Sequence, residues 1–209
     1  MNAHQDTLFL RSPRLDTRDA GAMRASLRDY FHATFSRYEQ LFEVLTCDEA
    51  YYRKPIALRH PLIFYLGHTA TFFINKMLLA GLIAERIDPR LESMFAVGVD
   101  EMSWDDLNEA HYDWPTVAEV RAYRNAVRQT VDRVIHEAPL DTPIGWDNPW
   151  WVVIMGIEHE RSSTSCFSRA SASFSSSPRC CASSLLARSL AACRMRATSS
   201  SISCALCSL

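Results

Sequence analysis

From residue 162 to its last residue this chain contains no Asp and no Glu. All 24 acidic residues lie in residues 1–161, with 17 of the 22 Lys and Arg, a balance of −7. Residues 162–209 carry five Arg, no Lys and no acid, a balance of +5, which leaves a net charge of −2. The acid-free part also holds 17 Ser and six of the seven Cys. Cysteine is nearly missing from the rest, where Cys47 stands alone. That scarcity excludes a disulfide framework for residues 1–161 and is the usage of a reduced, cytoplasmic protein. The N-terminal "MNAHQDTLFLRSPRLDTRD" lacks the apolar core of a secretory signal, and its Asp6, Asp16 and Asp19 are unlike an acid-poor transit peptide. No uninterrupted apolar run reaches the roughly 18 residues of a membrane span. "PLIFYLGHTATFFINKMLLAGLI" comes closest, and His68, Asn75 and Lys76 interrupt it, so a buried helix and no membrane partner are expected. Five Arg spread over the tail without Lys make a poor nucleic-acid arm. Cys204 and Cys207 form a C-x-x-C with no second pair, too little for a metal ribbon.

What is present is helical period. Met23, Leu27, Tyr30, Phe31, Phe35, Tyr38, Phe42 and Leu45 form one stripe and predict a helix from about Ala20 to Leu45. A second helix is expected from Pro61 to Leu79, ending before Gly81, apolar nearly all round as if walled by others. A third, Thr116 to Ala138, places Val117, Val120, Val127, Val131, Val134 and Ile135 inward. A fourth opens at "DNPWWVVIMGIEHER", with Asn148 as N-cap and Pro149 at the first helical position. Between the second and third lies a long segment without convincing period. It holds Met94, Phe95, Met102, Trp104 and Trp114, enough apolar surface to pack on the bundle or a neighbouring domain. The fold expected is an all-α, up-and-down four-helix bundle over residues 20–161. Residues 1–19 form an arm, and residues 162–209 an aberrant tail, unstructured or weakly helical.

Two histidines fall on inward faces. His68 lies between Phe64 and Phe72 at i±4, and His159 one turn after Met155. Singly, each is more often a core histidine satisfied by a backbone carbonyl. Together, on different helices, they have the arrangement from which bundle-core metal sites are built. Imidazole suits Fe(II), Zn and Cu, but the sequence offers no evident third ligand. "HERSS" lacks the second His of a zinc-protease motif. Glu158 and Glu160 read as solvated or ion-paired, and Arg59 and His60 as markers of a helix start.

The runs "ALRHPLIFYLGHTATFFINKMLLAGLI", "RLESMFAVGVDEMSWDDLN", "HYDWPTVAEVRAYR" and "WVVIMGIEHER" resemble, in order, one family. It is the N-terminal DinB-like domain of the ovothiol-biosynthetic 5-histidylcysteine sulfoxide synthases, relatives of the ergothioneine sulfoxide synthases. The resemblance covers about residues 20–161. It implies a non-haem Fe(II) oxidoreductase that uses O2 to join cysteine sulfur to the histidine imidazole. It also implies a formylglycine-generating-enzyme-like domain downstream, to which the bundle would dock. Three histidines hold the iron in that family, one in a "GHTA" motif and two at i and i+4 in a motif like "HERIHLE". By position His68 matches the first metal ligand and His159 the second; the third falls on Ser163.

From Ser162 onward the resemblance stops, at the residue where composition changes. A frameshift after the Arg161 codon accounts for both. Ser-Ser-Thr-Ser can be encoded TCA TCC ACC TCN, whose frame from the first A reads Ile-His-Leu, the missing motif. The expected product is therefore a truncated metal-binding domain, inactive alone, with no catalytic residue assigned and its last helix cut short to leave an exposed apolar strip. Two alternatives stay open: a helical binding module that docks a partner chain, and a DinB-like thiol transferase, against which the missing third His counts.

Overall fold

A computed structural model describes residues 11–54, 59–96 and 113–175, the stretch 165–175 by its backbone alone. Every regular element among the described residues is a helix: α1 (Ala20–Phe42), α2 (Glu49–Tyr52), α3 (Leu62–Leu79), α4 (Pro89–Met94), α5 (Val117–Glu137) and α6 (Trp151–Ser175). The four long helices make the bundle. α3 packs on α5 and α6, and α1 closes the ring against the same two, so α1 and α3 face each other across the diagonal.

Local chemistry sets the ends. The Asp19 carboxylate accepts from the Ala22 amide at 3.0 Å and starts α1. Thr116 and Glu119 form a reciprocal capping box at the start of α5. α3 begins after Pro61 and ends at Gly81, whose φ of 71° lets the Gly81 and Leu82 amides turn back to Leu78 and Met77 carbonyls. Asn148 caps a turn rather than the helix itself: its side chain accepts from the Trp150 amide, and α6 begins at Trp151. Trp150 is buried and donates from Nε1 to the Pro139 carbonyl, pinning the α5–α6 connection.

The stripe expected on the first helix is buried from Met23 through Phe42. All six apolar residues assigned inward on the third are buried on α5. α3 is long and apolar enough to cross a membrane by length and composition, and 72% of it is buried inside the bundle. Two elements were not expected. α2 packs on α3, and α4 lies in the segment that lacks period. α4 starts where the Asp88 carboxylate accepts from Leu91 N, with Pro89 at its first turn. Of the apolar residues in that segment, Phe95 is fully buried and stacks on Trp114, while Met102 and Trp104 lie outside the described residues.

The tail, expected to be unstructured or weakly helical, does not lose its helical backbone at Arg161. α6 runs on to Ser175: nothing in "SSTSCFSRASASFS" breaks a helix, and the Ser163 and Thr164 hydroxyls are accommodated by bonding back to the carbonyls of His159 and Glu160. Nor does a continuous apolar strip emerge among the described residues. The large apolar side chains left exposed are Tyr52, Leu79, Trp146 and Met155. The Cys204–Cys207 pair and residues 176–209 lie outside the described residues.

Candidate metal centre

The close packing of α3 with its neighbours begins with glycine. A Cβ on Gly67 would stand 2.3 Å from the Phe95 ring, and one on Gly156 2.4 Å from the Phe73 ring. No side chain heavier than hydrogen fits at either position without displacing a buried aromatic. The first approach brings the residue after α4 against α3, and the second brings α6 against it.

His68 lies one residue beyond Gly67 and is 4% exposed. Its Nδ1 lies 2.7 Å from the Phe95 carbonyl oxygen. A carbonyl only accepts, so Nδ1 donates the proton, which in the neutral ring leaves the lone pair on Nε2. Phe64 stacks on the ring at 5.1 Å. From α6, the His159 ring comes to 5.0 Å of the His68 ring, nearly edge-on at 74°, and lies flat on Phe72 at 4.1 Å. Burial, with His68 and Lys76 adding to it, pushes the His159 imidazole down to about 3, so it is neutral. Its Nδ1 is buried and has no hydrogen-bond partner among the described residues. A buried polar atom left in that state is unusual enough to require an explanation, and a place for a metal ion is one.

The third position behaves differently. Ser163 Oγ donates to the His159 carbonyl at 2.9 Å, engaged with its own helix. Among the described residues no group of three or more His, Cys, Asp or Glu is placed to hold a metal. The side chains therefore fit two nitrogens of a metal site and do not fit a three-histidine iron site. His60 stands apart, stacked on the far face of Phe64 at 4.0 Å, with burial first, then Lys54 and His68, lowering it to about 4. Arg59 is exposed at the entry to α3.

Beneath the histidines lies a polar cluster that the periodicity argument passes over. Arg124 of α5 is fully buried. Its Nε donates to Glu39 of α1 at 3.1 Å and its Nη2 to Glu160 of α6 at 2.8 Å. Nη1 donates to the Leu66 carbonyl and to Thr69 Oγ1 of α3, both at 2.9 Å. The guanidinium sits 4.2 Å over the Phe35 ring. Burial works against the Arg124 charge, and Glu160 and Glu39 more than restore it. A signal for this residue was available: Arg124 falls between Val120 and Val127, at the spacing of the apolar stripe, where a solvated arginine has no place. Glu160 thus takes the ion-paired option, and Glu158 does so nearer the surface with Tyr30, Ser12 and Arg161.

Residues 30–162, well over half of the chain, match the DinB superfamily. Over 137 residues the chain is 27% identical to "Ergothioneine biosynthesis protein 1" of Neurospora crassa. That alignment takes in 63% of this chain and 15% of the relative, so the chain spans a small part of that protein. The helical bundle and the match over 133 of its residues agree, and the chain belongs to the DinB superfamily.

Proposed function

We propose that this chain is the helical, metal-binding part of a sulfoxide synthase of the ovothiol type, cytoplasmic, and inactive by itself. The observation that carries the reading is the meeting of His68, buried and with its tautomer set by Phe95, and His159, half-buried and neutral with a buried nitrogen unsatisfied. The similarity to a protein of ergothioneine biosynthesis supports the same chemical class. Iron in the intact enzyme would supply O2 activation for joining cysteine sulfur to the histidine imidazole. His68 and His159 would supply two of its protein ligands, and Ser163 stands where a third is wanted. A shifted reading frame after Arg161 is supported by the end of the family match at residue 162, where the acids also stop.

Titration of the purified chain with Fe(II) under anaerobic conditions, and with Co(II) as a spectroscopic substitute, tests the reading. Uptake of one metal is expected, lost in His68→Ala and His159→Ala and tightened at least about 10-fold in Ser163→His, since even supporting groups around a metal typically carry about 10–100-fold. Metal uptake indifferent to both alanine variants would end it. A second reading, a module that docks a partner chain, is favoured by Trp146, 81% exposed beside Trp151 at 4.2 Å. Sulfoxide formation only on mixing with the expected downstream domain, and its loss in Trp146→Ala, would select that reading.

A further inference from the structure

We propose that Arg124 and Glu160 are positioning residues for the histidine pair: the guanidinium hub locks the rotation and axial register of α6 against α3 so that His68 and His159 face each other. The inference deepens, and rests on, the reading of those histidines as a metal pair.

The hub grips each histidine helix at the residue next to the histidine. On α3 it holds Thr69, which follows His68; on α6 it holds Glu160, which follows His159. Thr69 Oγ1 also donates to Glu160 Oε1 at 3.2 Å, tying the two helices directly. Adjacent residues on an α-helix differ by a fixed turn of about 100°. Fixing the azimuth of residue 69 and residue 160 therefore fixes that of residues 68 and 159. Apolar packing alone does not do this as sharply, because burial of apolar area is non-directional. Hydrogen bonds of 2.8–3.1 Å around one planar group are directional.

The choice of side chain fits the task. Three nitrogens of one guanidinium address three helices, Nε on α1, Nη1 on α3 and Nη2 on α6, from a fourth, α5. An ammonium has no such planar fork. Stability alone is a poor reason for the pair. Replacing a buried ion pair by apolar residues of similar volume is often neutral or stabilising, and its best-attested use is to fix register. Both side chains here are fully buried.

The experiment uses the full chain without metal. Arg124→Met with Glu160→Leu removes both charges together and keeps the volume. Urea unfolding reports the fold, and nuclear Overhauser effects between the His68 and His159 ring protons report the juxtaposition. The expected result is a folded protein whose ring-to-ring effects fall at least about threefold, with Co(II) affinity lowered about 10–100-fold, as for other supporting groups of metal sites. A folded double variant with wild-type ring-to-ring intensity overturns the proposal. Should that variant fail to fold, Arg124→Lys keeps the charge without the fork and must show the same loss; wild-type intensity there overturns the proposal equally. Wild-type protein with close rings but no Co(II) uptake sinks the metal reading instead, and the ring signals still judge the hub.

Discussion

Two regions of the bundle handle the same kind of charged side chain in opposite ways. Around α3, Arg124 and Glu160 are fully buried, and each has a small set of fixed partners. On the seam between α1 and α5, Arg28, His32, Asp132, Arg128, Ser36 and Glu39 form a half-exposed ladder in which Asp132 serves both Arg28 and His32. Glu39 belongs to both, taking Arg124 on one oxygen and Arg128 on the other. The network is continuous, but its surroundings are not. On the wet side a lost partner is replaced by water or a neighbour; on the dry side nothing replaces it. Coulombic attraction at the same separation is several-fold larger inside, and so is the penalty for a charge left alone.

The comparison breaks if truncation at the hub is mild. Arg124→Ala leaves Glu160 buried with only Thr69, and takes one donor each from the Leu66 carbonyl and from Glu39, which keeps Arg128. Loss of one partner of a buried pair typically costs about 3–5 kcal/mol. The urea midpoint should fall accordingly, and added salt should change the loss little, because buried charges are weakly screened. A loss under about 1 kcal/mol would mean that water reaches the hub.

Next in size are the glycines that allow the dry side to close. Gly67→Ala drives a methyl into the Phe95 ring and Gly156→Ala into the Phe73 ring. Overpacking of this kind costs about 1–3 kcal/mol. The two should separate in a second measurement. Gly67→Ala must also move the Phe95 carbonyl that sets the His68 tautomer, so the His68 ring nitrogen shifts should change more than in Gly156→Ala. Equal shifts in both variants would detach Phe95 from the histidine.

How far these regions were legible in the sequence follows from the same contrast. The apolar stripes of α1 and α5, the capping box at Thr116 and the stop at Gly81 were readable because local pattern and fold agree there. α2 and α4, of four and six residues, are too short to carry a period; only Asp88 and Pro89 announced α4. The hydrophobic pattern stops at Arg161, but loss of pattern is not a helix breaker, and the backbone continues to Ser175, within the weakly helical option for the tail. The histidines could be paired through the family resemblance and their inward positions. Arg124 left a signal in its place on the apolar stripe between Val120 and Val127, but a scan for apolar period passes over an arginine, and its partners on three other helices show only in the packed bundle.

The smallest effect expected is on the seam. Asp132 accepts from Arg28 Nε at 2.7 Å, and this hydrogen bond, helped by His32 and opposed by burial, holds its carboxyl at about 2. A carboxylate depressed below its ordinary value of 3.8 contributes stability that is present above about pH 4 and lost as pH falls through about 2. With a quarter of the Asp132 side chain and half of Arg28 exposed, the worth of the pair is that of a surface bridge, about 0.2–1 kcal/mol. Asp132→Asn should therefore lower the urea midpoint slightly at pH 7. That difference should close as the pH is taken from about 4 toward 2, and it should also shrink in 1 M salt, where the Debye length is about 3 Å. A penalty that matches Arg124→Ala in size and resists both acid and salt would erase the distinction between seam and hub. A small, screened and acid-labile one would locate the boundary between wet and dry at Glu39.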